Sequence, residues 1–384
     1  MSKHETMRYG PKEGQPQQLT GHILSLDLGR GLAAVVVMLY HTKFLFFETQ
    51  GIFHRGYLCV DFFFLLSGYV IANSYDSKIL SGLGTKNFIV VRIARLWPLV
   101  LLATLIAFAV QVVRFRQYMP DLNGLDLAVS LACNLVMMPS PRSPNVVLFP
   151  FNGAAWSITF EMIANVIYVS MFRYTTGATL GFVILGSGMA LAGTALAFNS
   201  LDVGMTQANF IFGLPRVLFS FFLGVLLFRW HNNLWKPPIS GVPALLVGLL
   251  VAGALICIPK IPLGYVDGLI DLLVVVFVFP ILLRIAEGAR LLGPLGSLAW
   301  FLGGISYSVY LLQTPFMVGY SALPQILFGQ KVAAFVPWGG LLFMLMFLPI
   351  AYICWIYFER PAQRWLRGAL LRKEVRPLGA DQRL

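Results

Sequence analysis

At 384 residues, 58% hydrophobic and 11% charged, with mean hydropathy +0.77, the chain is too apolar for a soluble globule and reads as a membrane protein. Its net charge of +12 does not point to nucleic acid, because the basic residues sit at the ends of apolar runs and in the C-terminal tail, where anchoring and membrane lipids account for them. Four cysteines (Cys59, Cys133, Cys257, Cys354) lie far apart in apolar surroundings, with neither metal-ligand spacing nor a disulfide framework, and no metal is expected.

Residues 1–22 are polar and lack the apolar core of a cleavable signal. They are expected to form a disordered cytoplasmic tail, with the first span as insertion signal. Apolar runs follow at roughly 26–47, 57–75, 89–113, 125–138, 154–173, 178–198, 210–228, 241–258, 266–286, 298–320 and 334–357. The run 125–138 is short, holds Asp126 and Asn134 and leads into the Pro-rich MMPSPRSPNVVLFP, which predicts a re-entrant or interfacial element. Ten spans then remain, both termini lie inside, and 19 of the 28 basic residues fall on the cytoplasmic side with seven outside. Eleven crossings would instead place seven tail cations, Arg360 to Arg383, outside. The expected fold is all-α: a polytopic bundle of about ten transmembrane helices around a polar central cavity, over residues 23–360, with a basic cytoplasmic tail at 361–384.

The first span carries Arg30 near one end and His41 near the other. Eleven residues at about 100° each bring both side chains to one helix face, roughly 16 Å apart along the axis. Ionisable groups within a span are costly and usually face a bundle interior, so two on one stripe predict a polar path. Either residue alone is also explained blandly, Arg30 by snorkelling and His41 by packing. With alternating spans, Asp61, Glu161 and Arg216 are expected near the level of His41, with Asp267 and Asp271 at the outer end of a later span. An imidazole oriented by a carboxylate is a general base at neutral pH; the competing reading makes Asp61 and Arg216 a structural ion pair. At the cytoplasmic end, Arg30, Arg92, Arg95 and the nearby Lys86 make a cationic mouth suited to phosphates, or simply to anchoring. A phosphorylated nucleotide head docked there, with a thin thioester arm running toward His41, has the shape of an acyl-CoA.

The ordered motifs LDLGRGLAAVVVMLYH, VDFFFLLSGYVIA (60–72), RIARLWP (92–98), WSITFE (156–161), ISYSVYLLQTP (305–315) and FERP (358–361) resemble the acyltransferase 3 family, bacterial membrane proteins that O-acylate carbohydrates. The resemblance spans roughly residues 24–360. It implies an acyl-CoA donor, acetyl-CoA first, and a saccharide or glycolipid acceptor at the outer face. It implies roles for Arg30 and His41 as the essential pair, for Arg92 and Arg95 in donor binding, and for Glu161 beside the Trp-Ser motif. His41, Glu161 and Asp61 are thus the catalytic candidates. Arg30, Arg92, Arg95 and Lys86 are the donor-binding candidates, and Arg216, Trp156, Tyr310 and Gln313 the acceptor-binding ones. Relatives often carry histidine where this chain has Gln313, which cannot act as a base. A transporter or flippase with the same polar lumen is the alternative.

Overall fold

A computed structural model describes residues 23–47, 51–118, 123–143, 146–174, 176–230 and 240–371. The helices are α1 (Leu24–His41), α2 (Cys59–Leu80), α3 (Thr85–Tyr118), α4 (Gly124–Leu135), α5 (Ala155–Ser170), α6 (Gly177–Phe198), α7 (Gly213–Arg229), α8 (Val242–Ile256), α9 (Val266–Leu273), α10 (Phe279–Glu287), α11 (Gly293–Phe328), α12 (Trp338–Cys354) and α13 (Arg360–Leu371). Among the described residues the only β-type pairing is an isolated bridge between Val147 and Thr206.

Among the described residues, eight helical stretches are long and apolar enough to cross a bilayer. Two of them are compound. A π-turn at Val274–Val278 joins α9 to α10, and another at Trp355–Glu359 joins α12 to α13. With α5 and α8 they make up the ten apolar segments expected, but these two have 16 and 15 residues, fewer than the ~20 a crossing takes. The 12-residue α4, the expected non-spanning element, is shorter still. Residues 361–371, expected as tail, continue the last span as helix α13; residues 1–22 and 372–384 lie outside the described set.

Without water between helices to drive association, close backbone packing holds such a bundle together, and small residues permit it. Helix α2 is the most enclosed of the eight spans, with 78% of its most apolar stretch buried. It meets α7 at two glycines: a Cβ on Gly68 would sit 1.9 Å from the Phe221 carbonyl oxygen, and one on Gly224 would sit 2.1 Å from that of Leu65. Helices α1 and α11 lie parallel, Leu24 beside Gly296, Asp27 against Gly303 and Gly31 against Leu302. This register carries His41 to about the level of Gln313. Helix α2 runs antiparallel to α1, with Gly56, just before it, against Tyr40 and Phe62 against Gly29. One end of the bundle therefore holds Arg30 and the other His41; they are called here the arginine end and the histidine end.

Candidate active site

At the arginine end, Arg30 and Arg92 are each paired with one carboxylate. Arg30 is held one turn above Asp27, its Nη2 donating to Asp27 Oδ1 (2.6 Å) and to the Gly303 carbonyl (3.0 Å), which ties α1 to α11. Arg92 Nη2 donates to Glu161 Oε1 (2.8 Å), which also accepts from Ser67 Oγ (2.7 Å). Glu359 accepts from Ser308 Oγ (2.8 Å) and from Gln363 Nε2 (3.1 Å), and lies within electrostatic reach of both Arg30 and Arg95. Tyr307 closes the group, donating to the Leu96 carbonyl (2.7 Å). Three arginines thus face three acids. Arg95 differs from the other two: it is exposed, and no carboxylate lies within ion-pair distance of it among the described residues. Lys86 is exposed on the first turn of α3.

From this end one face of α2 stays accessible along its length, and it is called here the α2 groove. On α2, otherwise packed, Phe63, Ser67, Val70 and Ser74 all keep accessible surface, Val70 as much as 40%. Their spacing of four, three and four residues puts them on one face. Ser67 on that face reaches Glu161, so the stripe points at the Arg92 pair. Its upper end is the Phe63 ring, edge-on to Tyr310 at 5.4 Å.

At the histidine end, His41 is the last residue of α1 and is accessible although protein surrounds it, as for a side chain lining a recess. Its ring meets Tyr40 edge-on at 5.1 Å, and Tyr40 meets Tyr57 at 5.7 Å. The Tyr40 hydroxyl donates to Asp202 Oδ2 (2.9 Å), and the Tyr57 hydroxyl to Asp271 Oδ2 (2.7 Å). Lys43 Nζ lies 5.3 Å from the Tyr40 ring and Lys260 Nζ 4.8 Å from that of Tyr57. Partial burial holds the Lys260 ammonium below the usual lysine pKa, despite Asp271 and other acids at longer range. Asp202 and Lys43 are the charged groups acting on His41.

Several sequence expectations need correcting. Asp61 and Arg216, expected to serve catalysis and acceptor binding, are paired with each other. Arg216 Nε and Nη2 grip the two Asp61 oxygens (3.1 and 2.6 Å), while Nη1 and Nη2 also donate to the Val203 and Tyr57 carbonyls. Both residues are fully buried, the arrangement that the structural reading of the pair expects. Trp156 is buried too, its ring 5.1 Å from the Arg216 guanidinium. Tyr310 is buried and shares a hydrogen bond with Ser157 (2.7 Å). Gln313 is buried, donating to the Tyr310 carbonyl (3.0 Å) with Oε1 unpartnered.

Glu161 belongs to the arginine end rather than beside His41. The segment before α5 dips into the bundle: Phe149, Phe151 and Asn152 are buried, and Asn152 Nδ2 donates to the Leu311 carbonyl (3.2 Å). Helix α5 therefore starts below the surface, which carries Glu161 deeper. The polar path along α1 is closed as well, because Ala34 and Val37, which share the face of Arg30 and His41, are buried. Sequence reasoning missed Asp202, Tyr40, Tyr57, Lys260 and Ser67. Asp202 lies in a loop 162 residues from its partner Tyr40, with no local signal to find it.

No solved structure matches the chain significantly. A similar curated protein is "Protein 2 in picA locus" of Rhizobium radiobacter, 32% identical over 175 residues, which cover 42% of this chain and 86% of that protein. The acyltransferase 3 family model, described as an acyltransferase domain, matches residues 23–360, a stretch that takes in the arginine cluster, the α2 groove and the His41 recess. The chain is a membrane-integral member of the acyltransferase 3 family.

Proposed function

We propose that the protein moves an acyl group, acetyl in the first instance, from acyl-CoA in the cytosol to a hydroxyl of an extracytoplasmic or lipid-linked saccharide. In this reading the arginine end and both termini face the cytosol, and the host membrane is the bacterial inner membrane. The observation that carries the reading is one helix, α1, whose two accessible polar groups stand at opposite ends of the bundle: Arg30 among arginines and His41 in a recess. At the arginine end, exposed and uncountered Arg95 is the guanidinium free to take a donor phosphate, with Lys86 at the rim. Arg30 and Arg92, already tied to Asp27 and Glu161, shape the mouth. The α2 groove, from Ser74 to Phe63, suits a thin apolar-walled arm.

His41 acts as general base. It accepts the acceptor's hydroxyl proton as that oxygen attacks the thioester carbonyl; the C–O bond forms, the C–S bond breaks, and the proton passes on to the departing thiolate. Between groove and recess the layer of Ala34, Val37 and Tyr310 is buried and so shut to water. Transfer therefore requires that layer to part when the donor arm enters.

The shut layer also favours a second reading, a carrier caught between its two open states. One experiment separates them. The full chain is reconstituted in liposomes with labelled acetyl-CoA inside and saccharide outside, for wild type and His41→Ala. Labelled ester on the saccharide, lost in the variant, is the expected result. Movement of unmodified saccharide without ester formation would establish the carrier. Unchanged ester formation by His41→Ala would remove the imidazole from the chemistry.

A further inference from the structure

On the His41 side the protein has placed two ammonium groups that have no carboxylate in contact among the described residues. Lys260 donates to the Tyr57 hydroxyl and to Ser200 Oγ (3.3 Å), both neutral groups. Lys43 packs over the Tyr40 ring. The acids of this region are otherwise engaged. Asp267 and Asp271 pair with buried Arg55, and Asp61 pairs with Arg216. Asp202 accepts from Tyr40, and its other oxygen has no partner among the described residues. Lys260 and Lys43 are exposed, and the groups they touch are neutral, so an arriving anion meets an ammonium without having to displace a carboxylate from it. Contacts run unbroken from imidazole to ammonium: His41 to Tyr40, Tyr40 to Tyr57, Tyr57 to Lys260. Two tyrosine rings offer apolar faces with polar edges, and an open carboxylate oxygen accepts from hydroxyls, which together suit a sugar ring.

We propose that the acceptor is acidic: Lys260, with Lys43, binds a carboxylate or phosphate carried by the saccharide, while Tyr40, Tyr57 and Asp202 hold its ring so that a hydroxyl lies at His41. The inference rests on the acyl-transfer reading for what happens at His41, but the anion site stands on the lysines alone.

The test uses the full chain in neutral-lipid nanodiscs and three matched probes: cellotriose, its C6-oxidised triuronate, and cellotriose 6-phosphate. At low ionic strength one or both acidic probes bind at least tenfold more tightly than cellotriose, and the better one identifies the anion. Lys260→Gln, at an exposed position, abolishes that preference; Lys260→Arg keeps it; Lys43→Gln reduces it. Equal binding of all three probes, or a preference intact in Lys260→Gln, overturns the proposal. The two readings fail separately. Lys260-dependent binding without any ester formation removes acyl transfer and leaves the anion site. Ester formation with a preference indifferent to Lys260 does the reverse.

Discussion

Replacing Asp61 by Asn separates structure from catalysis. Wild-type Asp61 and Arg216 are inaccessible and joined by two charge-assisted bonds, at 3.1 and 2.6 Å. The variant leaves a fully buried guanidinium with two backbone carbonyls and a neutral amide for company. Removing one partner of a buried pair costs about 3–5 kcal/mol, because the surviving charge has no solvent to turn to. The Trp156 ring at 5.1 Å offsets a part, up to ~2 kcal/mol for a desolvated cation. In lipid nanodiscs the midpoint of thermal unfolding should therefore fall by about 1–6 °C, since a chain of this length loses roughly 1.2 °C per kcal/mol. The double variant Asp61→Leu/Arg216→Met removes both charges and should recover most of the loss, since no ion remains stranded. Transfer rate per folded molecule should stay within a few-fold of wild type in both. An Asp61→Asn protein with an unchanged midpoint and a rate reduced by about 10²–10⁴-fold, the size of a lost general base, would refute this and return Asp61 to the chemistry.

His41→Ala should leave the unfolding midpoint near wild type, because the ring lines an accessible recess, while ester formation falls by about 10²–10⁴-fold. Arg95→Ala should raise KM for acyl-CoA about tenfold or more, as expected for a charge-assisted contact worth about 1.5–3 kcal/mol, with kcat and melting little changed; initial rates against donor concentration check it. Gly68→Ala should prevent normal assembly, since its Cβ would meet the Phe221 carbonyl at 1.9 Å and overpacking of a close contact costs about 1–3 kcal/mol or more; yield of folded protein after extraction is the readout.

The span positions are legible in the sequence because each is an apolar run of membrane length, and the Arg30–His41 pair because helical periodicity is local. Depth was less legible. Glu161 was placed by counting from the start of its span, but the preceding segment dives into the bundle on Phe149, Phe151 and Asn152, which no periodicity announces. The ion pair of Asp61 with Arg216 spans 155 residues; composition offered it as one of two readings, and only packing chooses. Asp202 stood in a stretch read as a connection, and its contact with Tyr40 is a product of the fold. Lys260 was visible only as a basic residue at a span end, its place over Tyr57 being tertiary.

The buried Ala34 and Val37 bear on the host cell as well as on the reaction. A continuous wet passage through this protein would short-circuit the membrane, where each elementary charge falling through 100 mV gives up about 2.3 kcal/mol. On the proposed reading, in which a water-borne thioester from one compartment meets an alcohol from the other, the chain needs a seal that yields to a slender hydrocarbon-like arm but refuses hydrated ions. A short dry septum of small and branched aliphatic side chains does this: it behaves as an airlock whose occupant is also its stopper.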